Sequence, residues 1–416
     1  MSESSRPLGS SPVVVVTGAS AGVGRATAIA FARRGYRVAL LARGQAGLAG
    51  ARHDVEAAGS EALTAPTDVA DAEAVYQAAD RVMARWGRID VWVNDAMETV
   101  VGPVDRITPA EFRRVTEVTY LGTVHGTLAA LRHMRPRNRG TIVQIGSALS
   151  YRAIPLQSAY CGAKFAIRGF TDSLRTELIH DRSRIRLTML QLPGVNTPQF
   201  DWSHMHFGRR HQPVGACYQP AAVAAEVVRA AEHPTRERWL GFPAVQAILG
   251  AMLAPGFADR YLARTAYEGQ LSDRPVLPGE PDTLQGPAPT DHGANGRFDA
   301  CAKRRLHAVE PPMLRGVAAL CCVGIAAAGF ALGRRFGPMQ WRVWRSGCIR
   351  VHLPARTPVL RRAVRRSRRA ARCAASRAGD ATPGPTTRPT PATPPAQERR
   401  PVSPALADEI ARAFVS

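Results

Sequence analysis

Four consecutive valines, Val13 to Val16, run without a break into Thr17-Gly18-Ala19-Ser20-Ala21-Gly22-Val23-Gly24-Arg25. Apolar residues then recur at helical spacing, at Val23, Ala26, Ala30 and Phe31, until Gly35 stops them. A strand that turns on glycines into a helix constrains the fold of this chain more than any other feature. The glycines allow a sharp turn and a close approach to a ligand, and the free N–H groups of the first helical turn favour a pyrophosphate there. Glycines also build plain tight turns, but the strand before and the helix after set this one apart.

The same alternation continues downstream, with short apolar runs at Arg37 to Ala42, Ile89 to Asn94 and Thr141 to Gly146, and weaker ones at Ala62 to Pro66 and Arg186 to Gln191. Strands separated by helix-period segments predict an α/β fold, a doubly wound parallel sheet of the Rossmann type with six strands. Thr108-Pro109-Ala110-Glu111 is a capping box with proline in the first turn, and the helix it opens is expected to run to about Met134. Residues 197 to 218 break the alternation with aromatics, histidines and glycines and are expected to face the substrate. The stretch 221 to 268 reads as helical.

Ser147 ends the run Thr141 to Gly146, Tyr160 follows thirteen residues later, and Lys164 lies four beyond that on a helix. Spacing of four puts the phenol and the ammonium on one helical face. A free tyrosine, with a pKa of about 10, is a poor acid/base at neutrality, and a nearby cation lowers that value. Ser147 can donate to a substrate oxygen that gains charge. Tyr-x-x-x-Lys also occurs by chance, but of the 55 basic residues only Lys164 and Lys303 are lysines. A chain that uses arginine almost everywhere uses the compact ammonium here, where a planar guanidinium fork would not serve.

The spacing Gly-x-x-x-Gly-x-Gly, taken with Ser147, Tyr160 and Lys164, resembles the short-chain dehydrogenase/reductase family over roughly residues 12 to 200. The resemblance implies hydride transfer between a nicotinamide and a carbonyl/alcohol pair, with Tyr160 moving the proton and Lys164 also binding ribose. It places the cofactor against Gly18, Ser20, Gly22, Val23 and Gly24, with Asp68 and Val69 at the adenine, and Pro193, Gly194 and Thr197 near the carboxamide. Asn94-Asp95-Ala96-Met97 stands where the family has Asn-Asn-Ala-Gly, so Asn94 and Ala96 agree and two positions depart. Thr119 occupies the place of an asparagine that helps the lysine hold a relay water. The second strand ends in Arg43, with no acidic residue to grip a ribose 2′-hydroxyl, which favours NADP(H) over NAD(H). Relatives usually associate through the helices after the fourth and fifth strands, so a homo-oligomer is expected.

Of the net charge of +22, residues 301 to 416 carry +17, so the first 300 residues are ordinary and the tail is not. The expected boundaries are a flexible N-terminus over 1–11, the catalytic domain over 12–270, an irregular linker over 271–313, a candidate membrane anchor over 314–335, and a basic, Pro/Thr-rich disordered tail over 336–416. Gly316 to Gly333 is an uncharged run of spanning length but modest hydrophobicity. Eight arginines between Arg356 and Arg372 attract polyanions, yet few aromatics are interleaved for stacking, so nucleic acid is not an expected partner. Seven cysteines without a C-x-x-C pair fit a reducing compartment. The N-terminus, MSESSRPLGSSP, has no secretion-signal pattern, and a cytoplasmic catalytic domain is expected. His204, His206 and His211 have no carboxylate or cysteine pattern beside them in sequence, so no metal is expected. The alternatives are a nucleotide-binding scaffold with little turnover, and a protein that acts through its tail on membranes or polyanions.

Overall fold

The valine run forms the middle of a sheet of eight strands in the computed structural model, which describes residues 11–277, 280 and 282–311, and the backbone of 341–343 and 349–351. The strands are β1 (Val13–Thr17), β2 (Arg37–Ala42), β3 (Ala62–Pro66), β4 (Val91–Asn94), β5 (Gly140–Ser147), β6 (Ile185–Leu192), β7 (Glu237–Leu240) and β8 (Ala308–Val309). Their order is β8-β7-β6-β5-β4-β1-β2-β3, and every pairing is parallel except that of β8 on β7. Val13 to Val16 are wholly buried because both faces of β1 are covered. Val14 and Val16 pack with Phe31 and Val227 on one side, while Val13 and Val15 pack with Val82 and Trp92 on the other. Continuous apolar runs are what a parallel strand covered on both faces requires.

Helices α1 (Gly22–Ala32), α2 (Gln45–Ala57) and α3 (Ala72–Trp86) connect the first four strands. The chain winds outward from β1 to β3 and then returns to β4 on the other side of β1. That reversal opens a crevice at the carboxyl ends of the strands. Thr108 and Glu111 form the expected capping box, but the helix is not continuous to Met134. It divides into α4 (Pro109–Val115), a π-helical stretch Thr116–Leu121, and α5 (Gly122–Met134). The long helix α6 (Ser158–His180) follows β5, a short turn α7 (Gln199–Trp202) follows β6, and α8 (Pro220–Glu232), α9 (Gly241–Leu253) and α10 (Pro255–Gly269) complete the series.

Residues 271–311, expected to be an irregular linker, are irregular over most of their length but carry a short strand near each end and wrap the domain. Leu271–Pro275 pairs antiparallel with Arg209–His211, and β8 extends the main sheet. Pro, Gly and Asp set the turns of this segment, while its backbone hydrogen bonds are made with the domain it crosses. Among the described residues no helix is long and apolar enough to cross a membrane. The proposed anchor Gly316 to Gly333 lies outside those residues, as does most of the basic tail. A second unit begins at Ala326, and of it only the antiparallel pair Trp341–Val343 with Ile349–Val351 is described.

Asn94 closes a buried polar network at the end of β4. Its Oδ1 accepts from Trp92 Nε1 at 2.8 Å, and its Nδ2 donates to Thr127 Oγ1 at 3.0 Å and to Gln144 Oε1 at 2.9 Å. Gln144 Nε2 also donates to Thr127 Oγ1, at 2.9 Å. Thr127→Val keeps the shape and removes the acceptor that both amides share. An expected loss of about 2 kcal/mol, the scale for stranded buried donors, is measured as a lower urea midpoint. An unchanged midpoint would show that the network does not stabilise the sheet.

Candidate active site

Thr17 ties the end of β1 to the end of β4. Its hydroxyl accepts the Asp95 N–H at 3.0 Å and the Ala96 N–H at 3.2 Å, which holds the Asn94–Met97 turn against the glycine loop. Gly18 sits at φ +69°, and a Cβ there would lie 2.9 Å from the Ala96 backbone. A Cβ on Gly24 would lie 2.3 Å from the Gly18 carbonyl oxygen. The first and third glycines therefore serve the close packing of loop, helix and β4, and Gly22 lies where α1 begins.

A cavity of about 710 Å³ opens over the carboxyl ends of the central strands. Gly18, Ser20, Gly22 and Val23 line one end, and Arg43, Asp68 and Val69 stand beside them. Ala96 also lines it, as do Pro193, Gly194 and Thr197 after β6, with Thr197 lying against Gly22 of the glycine turn. Ser147, Tyr160 and Lys164 all reach this same space. Three expected residues do not. Asn94 is 3% exposed with its amide taken up by the network above, and Gly24 is covered by its packing on Gly18. Thr119 is wholly buried, and its hydroxyl accepts the Glu98 N–H at 2.9 Å and donates to the Glu98 carbonyl at 3.0 Å. The hydroxyl expected to bind a relay water thus clamps the backbone of Glu98.

Ser147 Oγ accepts the Leu149 N–H at 3.1 Å, which sets its rotamer and leaves its own proton to donate. It lies within hydrogen-bonding reach of the Tyr160 phenol. Burial pushes the Tyr160 phenol up, the neighbouring Cys161 and Asp95 add to that, and the Ser147 contact opposes it. Lys164 Nζ donates to the Ile145 carbonyl at 2.7 Å and lies 5.5 Å from the Tyr160 ring centroid. Burial pushes the Lys164 ammonium down, and the Asp95 carboxylate opposes this. Asp95 itself is pushed up by burial, with Lys164 and the Gly24 N–H pulling it back. The sequence marks Asp95 only as a departure from the family pattern; its coupling to the lysine becomes visible in the structure.

Glu98 is the residue that sequence reasoning missed most completely. Arg43 Nη2 donates to Glu98 Oε1 at 2.7 Å and to the Thr283 carbonyl at 2.6 Å, while Arg43 Nη1 is buried with no hydrogen-bond partner among the described residues. Burial pushes Glu98 up to about 7 against the attraction of Arg43. Asp68 is instead held below the usual carboxylate range, because the Ala70 N–H and Arg114 outweigh its burial. The segment after Thr283 forms the outer wall of the cavity, with Pro287, Ala288, Thr290 and His292 on its lining. It is fixed there by the Gly22 N–H, which donates to the Gly293 carbonyl at 3.2 Å, and by Arg25, which pairs with Asp54 and Asp291. No pattern in the sequence announces contacts across 266 residues.

Residues 12–204 match the family described as short chain dehydrogenase. An uncharacterized oxidoreductase of Bacillus subtilis (strain 168), YxnA, is 31% identical over 323 residues, which are 76% of this chain and 90% of the relative. The putative oxidoreductase SadH of Mycobacterium tuberculosis (strain ATCC 25618 / H37Rv) is 37% identical over 185 residues, 44% of this chain and 67% of the relative. Among solved structures, a short-chain dehydrogenase from Streptomyces avermitilis superposes with a TM-score of 0.52 at 28% identity, covering 62% of this chain and 96% of that one.

Proposed function

Because the chain belongs to the short-chain dehydrogenase family of oxidoreductases, we propose that it transfers a hydride between NADP(H) and a carbonyl or alcohol with an apolar body. The observation that carries the reading is the convergence of Ser147, Tyr160 and Lys164 on the cavity that also holds the glycine turn and Arg43. The nicotinamide supplies or takes up the hydride. The chain's residues do the rest. Backbone N–H groups at the start of α1 suit the pyrophosphate, and Ser20 with Arg43 suits a 2′-phosphate. Arg43 lines the cavity, and its guanidinium supplies the positive charge that a phosphate would meet there.

In the direction of reduction, Tyr160 gives its proton to the carbonyl oxygen and Ser147 donates a hydrogen bond to the same atom as it gains charge. Lys164, held by Ile145, keeps a positive charge near the phenol and favours the phenolate left behind. Leu149, Ile154, Phe200, Val214, Phe257 and Leu262 supply an apolar wall where a substrate body would lie. The full chain, given NADPH and a panel of apolar aldehydes and ketones, is expected to consume cofactor and form alcohol. A second reading, a cofactor-binding scaffold, is favoured by the engagement of Thr119 with Glu98; it predicts binding without consumption.

Asp95→Asn tests the electrostatics. The substitution keeps an acceptor for the Gly24 N–H but removes the charge that raises the Lys164 pKa, so the ammonium is lost at a lower pH. The alkaline fall in kcat is expected to begin at a lower pH in the variant. An unmoved profile would separate Asp95 from the lysine's protonation.

A further inference from the structure

We propose that Glu111, His204 and His206 bind a divalent metal ion of the zinc class at a site outside the catalytic cavity. Glu111 is fixed in the first turn of α4 by its capping box with Thr108. His204–Met205 pairs with Val100–Val101, and the His206 N–H continues that ladder by donating to the Val101 carbonyl at 2.9 Å. Two-residue spacing on extended backbone puts both imidazoles on one side. His204 Nε2 lies 2.9 Å from one Glu111 oxygen, and His206 Nε2 lies 3.0 Å from the other. One donor atom from each of the three residues falls within 4.8 Å of the other two.

The far side of His204 decides how these contacts read. Its Nδ1 faces Asp282 Oδ2 at 3.0 Å. A ring that donates its Nδ1 proton to Asp282 turns the Nε2 lone pair toward a carboxylate oxygen that carries lone pairs of its own. Something positive has to stand between them, either a proton or a metal. A carboxylate behind a ligating histidine is the arrangement that fixes the tautomer in metal sites. Bonds of 2.0–2.1 Å in a tetrahedron place ligand atoms about 3.3 Å apart; each Nε2 stands that near to its own Glu111 oxygen, and one donor atom per residue falls within 4.8 Å of the others, so a small side-chain shift closes the set. Two carboxylates and two neutral imidazoles leave a local charge that a dication neutralises, and nitrogen with oxygen donors suits zinc. Three protein ligands leave one position for water.

None of the three ligands lines the cavity, so the ion's work is structural. It joins α4, the loop that carries Phe200 and Trp202 to the cavity, and the segment in which Asp282 precedes Thr283. The site is independent of the reaction proposed above and is tested without it. Full-length protein stripped with chelator is titrated with Zn²⁺ by calorimetry. One ion per chain is expected, with a Kd on the order of micromolar or below and a raised Tm.

His204→Asn and His206→Asn should each weaken binding at least tenfold. Asp282→Asn, which leaves the cap of α4 intact, should weaken it about tenfold, the lower end for a supporting carboxylate. The exposed His180→Asn should leave it unchanged, and circular dichroism checks that each variant is folded. Co²⁺ in place of Zn²⁺ should give the visible absorption of a tetrahedral site. Absence of stoichiometric uptake by the unmutated protein, or uptake undiminished in the His204→Asn/His206→Asn pair, would overturn the proposal. The contacts would then be imidazolium ion pairs alone.

Discussion

Tyr160→Phe is expected to lower kcat by about 10²-fold or more, the usual size of a lost acid/base contribution, with NADPH binding retained. The change removes one oxygen from a side chain whose ring already packs against Lys164. Ser147 keeps its bond from the Leu149 N–H, and Lys164 keeps Ile145. The prediction is thus a loss in kcat without a comparable loss in cofactor affinity. Lys164→Arg should also be damaging: the ammonium is 3% exposed, and the wider guanidinium fork has no room to make the same short bond. Undiminished turnover by Tyr160→Phe would remove the phenol from the mechanism and leave the scaffold reading in its place.

Arg43→Ala should weaken NADPH at least tenfold and leave NADH nearly unchanged, since a lost charge-assisted contact to a phosphate is worth about 1.5–3 kcal/mol. Glu98 adds a pH dependence to this preference. Below about 7 its carboxyl is protonated and leaves Arg43 to a phosphate; above that value the ionised carboxylate competes for the same guanidinium. Glu98→Gln removes the competitor at every pH, so the variant's advantage over the unmutated protein in NADPH affinity should be small below pH 7 and grow above it. Comparing the two proteins at each pH cancels the titration of the phosphate itself. Equal dissociation constants for NADPH and NADH in the unmutated protein would contradict the cofactor preference, and a pH-independent ratio would free Arg43 from Glu98.

Much of the sheet is legible because parallel strands covered on both faces must be apolar throughout. Val13 to Val16 and Arg37 to Ala42 carry that signal, whereas β7, with the sequence Glu237-Arg238-Trp239-Leu240, hides it. Glu237 is buried on contacts from Tyr151 and Gln191, and Arg238 on Glu226 and Glu310, partners that no local pattern reveals. Ser147, Tyr160 and Lys164 stand out in the sequence because a helix brings residues four apart onto one face and because lysine is scarce in this chain. Asn94, Gly24 and Thr119 show the limit of carrying positions over from a family pattern. Each holds the framework of the site, and none lines its cavity. Glu98 and the wall from Thr283 to His292 depend on pairings between distant stretches, and a Pro- and Gly-rich composition reads as a linker whether or not the segment packs.

Turnover of a nicotinamide cofactor in this cavity, rather than mere binding, separates an enzyme from a scaffold. The most direct measurement follows NADPH consumption and alcohol formation together, for the full chain and for Tyr160→Phe, across apolar aldehydes and ketones. Matched loss of NADPH and gain of alcohol is expected in the unmutated protein, strongly reduced in the variant. Saturable NADPH binding by both proteins, with no consumption by either across the panel, would contradict it.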